Sequence, residues 1–291
     1  MGNYSKGKLK MKRGLKIVIV VLVILVICSS SFLLFVGFRK NYIAEYVDET
    51  SKQVSDDVAI NSTPVIINNL ILGGVYEKAW VNAERYYLKS KNKTGDIDIY
   101  NKKGKAGKFE LKEIYKDSSS AGTFARTSNT SMTEEYFAIA ADNKDVMPVP
   151  ATKVKDINEK DVKNVKKALG LKKIFNSTVK ITEIYQASID NTGLSTFIFV
   201  TSEPTKSAGA YSAIIYINPT GKPKCIKYNY IKNIKDASNF PIYSFEFVAD
   251  INKDGKNELI IQETKEFEVK YDILEQKDNN FVEILSNTMK T

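Results

Sequence analysis

Residues 247–262 read FVADINKDGKNELIIQ, in which a polar turn joins two apolar runs. A shift of 62 positions lays this stretch over residues 185–200, which read YQASIDNTGLSTFIFV. Both copies share an Ala and an Ile at the start of the turn, a Gly at its end and three apolar residues after it. Each copy continues into an alternating hairpin, so the pattern predicts a repeated β module of about 60 residues.

The turn of the second copy carries oxygen ligands at the alternate positions that a cation-binding loop requires. The candidate ligands are Asp250, Asn252, Asp254, the backbone carbonyl of Lys256, and Glu258. Gly255 permits the sharp reversal that points such oxygens at one centre, and a set without soft donors favours Ca²⁺. The alternative is a plain hairpin turn, in which Asp and Asn accept hydrogen bonds from local backbone N–H groups.

The form VADINKDGKNELII (248–261) resembles the FG-GAP or VCBS-type repeats of integrin-like β-propellers, whose calcium loop follows D-x-[DN]-x-D-G-x-x-[DE]. The resemblance covers residues 244–285 well and the upstream copy weakly. It implies that the five candidate residues of the turn bind calcium. An EF-hand is excluded because position 12 of the loop is Ile261 and the flanking residues are typical of strands.

The two copies differ in their acids and are too few to close a propeller. The first copy has Ser188, Asp190, Thr192 and Thr196 where the second has its ligands, so it keeps one carboxylate and is expected to bind no ion. A closed propeller requires at least four blades. We therefore expect residues 175–291 to form an open, propeller-like antiparallel sheet domain of two repeated units.

Residues 17–38 form an uncharged apolar run that predicts a transmembrane helix. At about 1.5 Å per residue the run spans roughly 33 Å, the thickness of a bilayer core. Eight Lys and Arg residues and no acid lie in the first 40 positions, six of them before the run. The positive-inside rule keeps residues 1–16 in the cytoplasm and places the rest of the chain outside the cell membrane. A cleaved signal peptide is the alternative, but the run is longer than a usual signal core.

Between the membrane segment and the repeats the sequence predicts three further parts. Residues 39–62 form a helical stalk, residues 63–150 a small barrel-like β domain, and residues 151–174 a connector with one helix. AWVNAERYYL (79–88) is read as part of the β domain. The helix of the connector begins at Asn158, a good N-cap. The overall fold class is therefore mainly β, with one or two helices besides the transmembrane helix.

Composition excludes several classes of function. The chain contains no His, which excludes Ser-His-Asp and Cys-His catalysis, and no acidic pair stands apart from strand faces and the polar turn. After residue 40 the chain is nearly neutral, with 35 basic and 34 acidic residues, so neither nucleic acid nor nucleotide binding is predicted. The richness in Lys, Asn and Ile resembles the usage of an AT-rich Gram-positive genome.

These features favour a non-catalytic protein of the bacterial cell surface that is anchored in membrane lipid through residues 17–38. Its β domains are expected to bind or scaffold another envelope protein or a wall polymer. One alternative is an accessory or receptor subunit that signals through a membrane partner, since too few residues precede the membrane helix for an output domain. A wall-polymer hydrolase is a further alternative, because acidic pairs can hydrolyse glycosides without His.

Overall fold

The computed structural model describes ten stretches of the chain outside the predicted membrane segment. They are residues 55–101, 104–117, 119–128, 137–140, 148–172, 179–190, 192–202, 210–231, 240–277 and 280–291. The predicted cytoplasmic tail, the membrane helix at 17–38 and most of the stalk lie outside these stretches. Within them no helix is both long enough and apolar enough to cross a bilayer. The described stretches fall in one unit, Val54–Thr291, of antiparallel sheets with three helices.

The N-terminal part is a curled seven-stranded sheet with two short helices. Its elements in chain order are α1 (Asp56–Asn61), β1 (Thr63–Ile67), β2 (Leu70–Tyr76), β3 (Ala79–Asn82), α2 (Ala83–Ser90), β4 (Gly95–Asn101), β5 (Gly104–Lys116), β6 (Thr123–Thr127) and β7 (Phe137–Ala140). The strand order is β1-β7-β4-β5-β6-β2-β3. An additional pairing of β1 with β2 joins distant positions of this order and makes the sheet a half-barrel.

The helix α2 corrects the reading of AWVNAERYYL as part of a β domain, because only its first four residues form a strand. With α2 the described residues hold three helices, where one or two are expected. The Asn82 side chain accepts a hydrogen bond from the Arg85 N–H at 2.9 Å and so caps the helix. Ala83, Tyr86 and Ser90 are buried, with the spacing of three and four residues that marks one helix face. Burial of this face overrides the strand preference of the two Tyr residues in the helix.

Residues 151–174, which are predicted to contain one helix, hold the third helix and also a two-residue strand that is not predicted. These elements are β8 (Thr152–Lys153) and α3 (Glu159–Leu171). The side chains of Asn158 and Asp161 each accept a hydrogen bond from the backbone N–H of the other residue, at 3.1 Å. This reciprocal capping box begins the helix at the predicted residue.

The two copies of the repeated pattern form two four-stranded meanders. The first consists of β9 (Lys180–Ser188), β10 (Leu194–Thr201), β11 (Ala210–Ile217) and β12 (Pro223–Ile231), and the second of β13 (Ile242–Ala249), β14 (Glu258–Lys265), β15 (Glu268–Lys277) and β16 (Asn280–Lys290). Within each meander every strand pairs antiparallel with the next one in the chain, and β8 adds a fifth strand beside β9. The polar turns of both copies join the first strand of a meander to its second strand.

Three sheets and the helices stack so that the central strands are buried on both faces. Ile260 of β14 lies in a core shared with the seven-stranded sheet, whereas Leu259 and Ile261 lie in the core between the two meanders. Similarly, Phe197 of β10 faces the second meander, and Ile198 faces α3. Successive strand residues point to opposite faces, so each strand contributes to two cores.

A cluster of charged groups also joins the two meanders. The ammonium of Lys227 on β12 contacts the Asp272 carboxylate on β15 and lies 3.3 Å from a Glu283 oxygen on β16. Lys270 also binds Asp272, at 2.7 Å. Asp272 is fully buried, and two lysines offset the cost of burying its charge. The cluster therefore fixes β12 against the second meander.

Candidate metal site

The polar turn of the second meander lies between β13 and β14, with its two ends held by the sheet. Ala249 pairs with Glu258 across the base of the turn. Ile251 is fully buried and anchors the turn in the core below it. Lys253 (φ 57°) and Gly255 (φ 92°) adopt positive φ values, which allow the chain to reverse within a few residues.

Side-chain oxygens of the turn bind its own backbone. The Asp250 carboxylate accepts hydrogen bonds from the N–H groups of Asp254 at 3.1 Å and Gly255 at 3.0 Å. The Asn252 oxygen also accepts from Asp254 N–H at 3.1 Å, and an Asp254 oxygen accepts from Lys256 N–H at 2.8 Å. These are the bonds expected of a plain polar turn, and they also fix the direction in which the acids point.

Glu258 is not accounted for by the turn alone. The residue is fully buried at the start of β14, and one carboxylate oxygen accepts a hydrogen bond from Ile251 N–H at 2.8 Å. The other oxygen has no hydrogen-bond partner among the described residues. Burial raises the pKa of Glu258 to about 8, and the charges of Asp250 and Asp254 act in the same direction, while the Ile251 N–H opposes them. A buried carboxylate in this position requires a proton or a cation.

Three of the predicted ligands come together. Asp250, Asp254 and Glu258 each offer a carboxylate oxygen, and these oxygens all lie within 4.8 Å of one another. Oxygens on opposite sides of a calcium ion, each bound at 2.3–2.6 Å, are about 5 Å apart. The three acids are therefore spaced to share one divalent cation.

The other two predicted residues have different surroundings. Asn252 is buried, and it lines a cavity of about 200 Å³ between the turn and the β2–β3 connection, where Glu77 and Lys78 lie. Lys256 is exposed and contacts Asp254 through its backbone N–H. The cavity gives water a route to the side of the turn that carries Asn252.

The equivalent turn of the first meander contacts the polar turn of the second meander. Its single acid, Asp190, accepts hydrogen bonds from the N–H and hydroxyl groups of Thr192. Asn257 of the second turn donates from its backbone to the Ile189 carbonyl at 2.8 Å and from its side chain to the Ser188 carbonyl at 3.0 Å. The acidic turn therefore rests on the turn of the other copy.

One acid near the cluster is not identifiable from the motif. Glu275 lies on β15, and its charge is among the causes that raise the pKa of Glu258. It is buried beside β14, yet it lies far from the turn in sequence. Only the pairing register of β14 with β15 places it there.

Comparison with known proteins returned no match: no protein-family model, no curated protein and no solved structure is significantly similar to this chain.

Proposed function

We propose that this protein is a non-catalytic binding or scaffolding protein of the cell envelope whose C-terminal repeats are stabilised by one Ca²⁺ ion. The observation that supports the proposal is the buried carboxylate of Glu258, which lies beside Asp250 and Asp254 and has one oxygen that no described residue binds. A cation at this point neutralises a charge that the fold otherwise holds at a cost. The two meanders then act as an open fragment of a propeller-like architecture.

Calcium suits the chemistry of the site better than a transition metal. The ligands Asp250, Asn252, Asp254 and Glu258 offer only oxygen, and the turn has no His or Cys that would favour zinc or copper. Water from the neighbouring cavity and the Lys256 carbonyl complete a shell of six to eight oxygens. Sites of extracellular modules bind Ca²⁺ with dissociation constants of about 10⁻⁴ to 10⁻³ M, which suits a protein outside the cell.

The bound ion acts on the packing between the repeats. Asn257 connects the acidic turn to Ser188 and Ile189 of the other meander, so order in one turn is transmitted to the other. The sheets on either side share continuous cores with the second meander. Calcium therefore stiffens the middle layer of a stack of sheets, which is the property that a scaffold requires.

The location proposed for this scaffold is the outer face of the cell membrane. The uncharged run at 17–38 anchors the chain in lipid, and the basic residues before it keep residues 1–16 in the cytoplasm. The near neutrality of the chain after residue 40 leaves envelope proteins or wall polymers as binding partners.

Calcium should raise the thermal unfolding midpoint of the full chain in detergent. At 5 mM Ca²⁺ and a dissociation constant of about 0.1 mM, the ion adds about 2.3 kcal/mol. For a domain of this size that corresponds to roughly 5–9 °C in a differential scanning fluorimetry or calorimetry experiment. Asp254→Ala should abolish the shift, because it removes one of the three clustered acids.

The matched control is Asp190→Ala, which removes the single acid of the equivalent turn in the first meander. This variant should keep the full calcium shift. A wild-type protein whose midpoint does not respond to 5 mM Ca²⁺ would rule out the site.

A further inference from the structure

Strand β15, which pairs with β14 after the polar turn of the second meander, places a second buried acid next to Glu258. In the antiparallel pair of β14 and β15, Leu259 lies opposite Leu274. The next position along the same register sets Glu258 opposite Glu275. Directly opposed side chains have Cβ atoms about 4.5–5.5 Å apart, so the two carboxylates are neighbours despite their separation along the chain.

Both acids point to the same face of the second meander. Ile260 and Ile273 lie in the core shared with the seven-stranded sheet. Side chains two positions apart on a strand share a face, so Glu258 and Glu275 face the same side as these isoleucines. Their exposed fractions are 0% and 8%, and water therefore screens the two charges poorly.

Among the described residues, the charge of this pair is offset only weakly. Lys277 is the cation nearest to Glu275 among the ion pairs of the described residues, at 3.4 Å, and its side chain is 43% exposed. Such a partly exposed pair contributes little. Like charges directly opposite each other destabilise a sheet. The pair thus adds negative potential at the edge of the Asp250–Asp254–Glu258 cluster.

We propose that Glu275 is an affinity-determining residue of the calcium site, whose charge strengthens the binding of a divalent cation by the three clustered acids. This inference rests on the proposed function. Glu275 is not one of the acids whose oxygens all lie within 4.8 Å of one another, so it acts on the ion across space or through a water molecule. Glu275 therefore does not bind the ion itself, and its charge acts on the ion that the three clustered acids hold.

The inference predicts two effects of opposite sign. Removing the Glu275 charge weakens calcium binding, because a divalent ion loses an attractive charge in a poorly screened environment. The same change raises the stability of the calcium-free protein, because the repulsion with Glu258 is relieved. A residue with a purely structural role has no such pair of effects, since its loss lowers the stability of both forms.

The test is calcium titration of the full chain in detergent at pH 8.5, by isothermal calorimetry after removal of metal with a chelator. Glu275→Gln should raise the dissociation constant about tenfold and raise the calcium-free unfolding midpoint by a few degrees. Lys277→Gln should have the opposite effect and tighten binding about twofold to threefold, since it removes an opposing charge. Glu268→Gln, the same substitution at the far end of β15, is the matched control and should change the affinity less than twofold.

The outcomes separate this inference from the proposed function. Unchanged calcium affinity in Glu275→Gln would overturn the inference and leave the calcium site in place. Weaker binding together with a lower calcium-free midpoint would show a structural role and also overturn it. A wild-type protein that does not bind calcium would overturn both.

Discussion

In the absence of divalent cations, the protein should become less stable as the pH rises from about 5 to about 8. Glu258 has a folded-state pKa of about 8, against an ordinary value of 4.5. Between these values the folded protein holds a proton that the unfolded chain releases. Stability is therefore fully present below the unfolded pKa and is lost as the pH rises through the folded pKa.

The expected loss is large because the group is buried and few others titrate in the same range. A single proton contributes at most about 1.4 kcal/mol per pH unit, so roughly 3–4 kcal/mol is lost between pH 5 and pH 8. This corresponds to a fall in the unfolding midpoint of about 6–16 °C. The chain contains no His, so the common source of pH dependence in this window is absent.

Calcium and a neutral substitution should both remove this dependence. With saturating Ca²⁺ the ion takes the place of the proton, and stability should stay level or rise up to pH 8. The stability of the Glu258→Gln variant should not change with pH in the absence of calcium and should not rise when calcium is added. The amide oxygen still accepts a hydrogen bond from Ile251 N–H but carries no charge.

The control for this experiment is Glu84→Gln, at an exposed position on α2 that pairs with Lys116. Its stability should fall with pH as steeply as that of the wild-type protein. If the stability of the chelator-treated wild-type protein does not change between pH 5 and pH 8, the Glu258 charge is already compensated. The argument for a cation would then fail.

Gly73→Ala should destabilise the protein by about 3 kcal/mol or more. Gly73 lies in β2 with φ +155°, and an added Cβ atom would meet the Val81 carbonyl oxygen at 2.2 Å and the Leu285 side chain at 2.9 Å. Val81 belongs to the neighbouring strand β3, and Leu285 belongs to β16 of the second meander. Neither the sheet backbone nor the shared core can move aside without losing contacts.

The measurement is the midpoint of chemical or thermal unfolding, where a loss of 3 kcal/mol lowers the thermal midpoint by about 6–12 °C. Gly107→Ala separates the backbone cost from the packing cost. Gly107 has nearly the same φ, +157°, but no atom lies within 4 Å of an added Cβ. Its substitution should cost about 1 kcal/mol. Equal losses in both variants would contradict the close packing of the seven-stranded sheet on the second meander.

The local parts of the fold were predictable because their signals are local. The shift that aligns residues 185–200 with 247–262 also aligns the starts of the two meanders, Lys180 and Ile242. The cap at Asn158 and the turn around Gly255 depend on a few neighbouring residues, so a short stretch of sequence identifies them. The α2 helix was missed because the strand preference of its aromatic residues outweighed the Asn82 cap.

The sequence by itself determined the acidic turn, the repeated strands and the apolar character of residues 17–38, since each depends on the order and spacing of nearby residues. Only the tertiary structure decided that Glu258 is buried with one oxygen that no described residue binds, and that the register of β14 with β15 brings Glu275 beside it. Strand register and the stacking of sheets set these features. Both depend on contacts between residues far apart in the chain. A run of alternating apolar residues specifies that one face of a strand is buried, but not which strand pairs with it or which sheet covers that face.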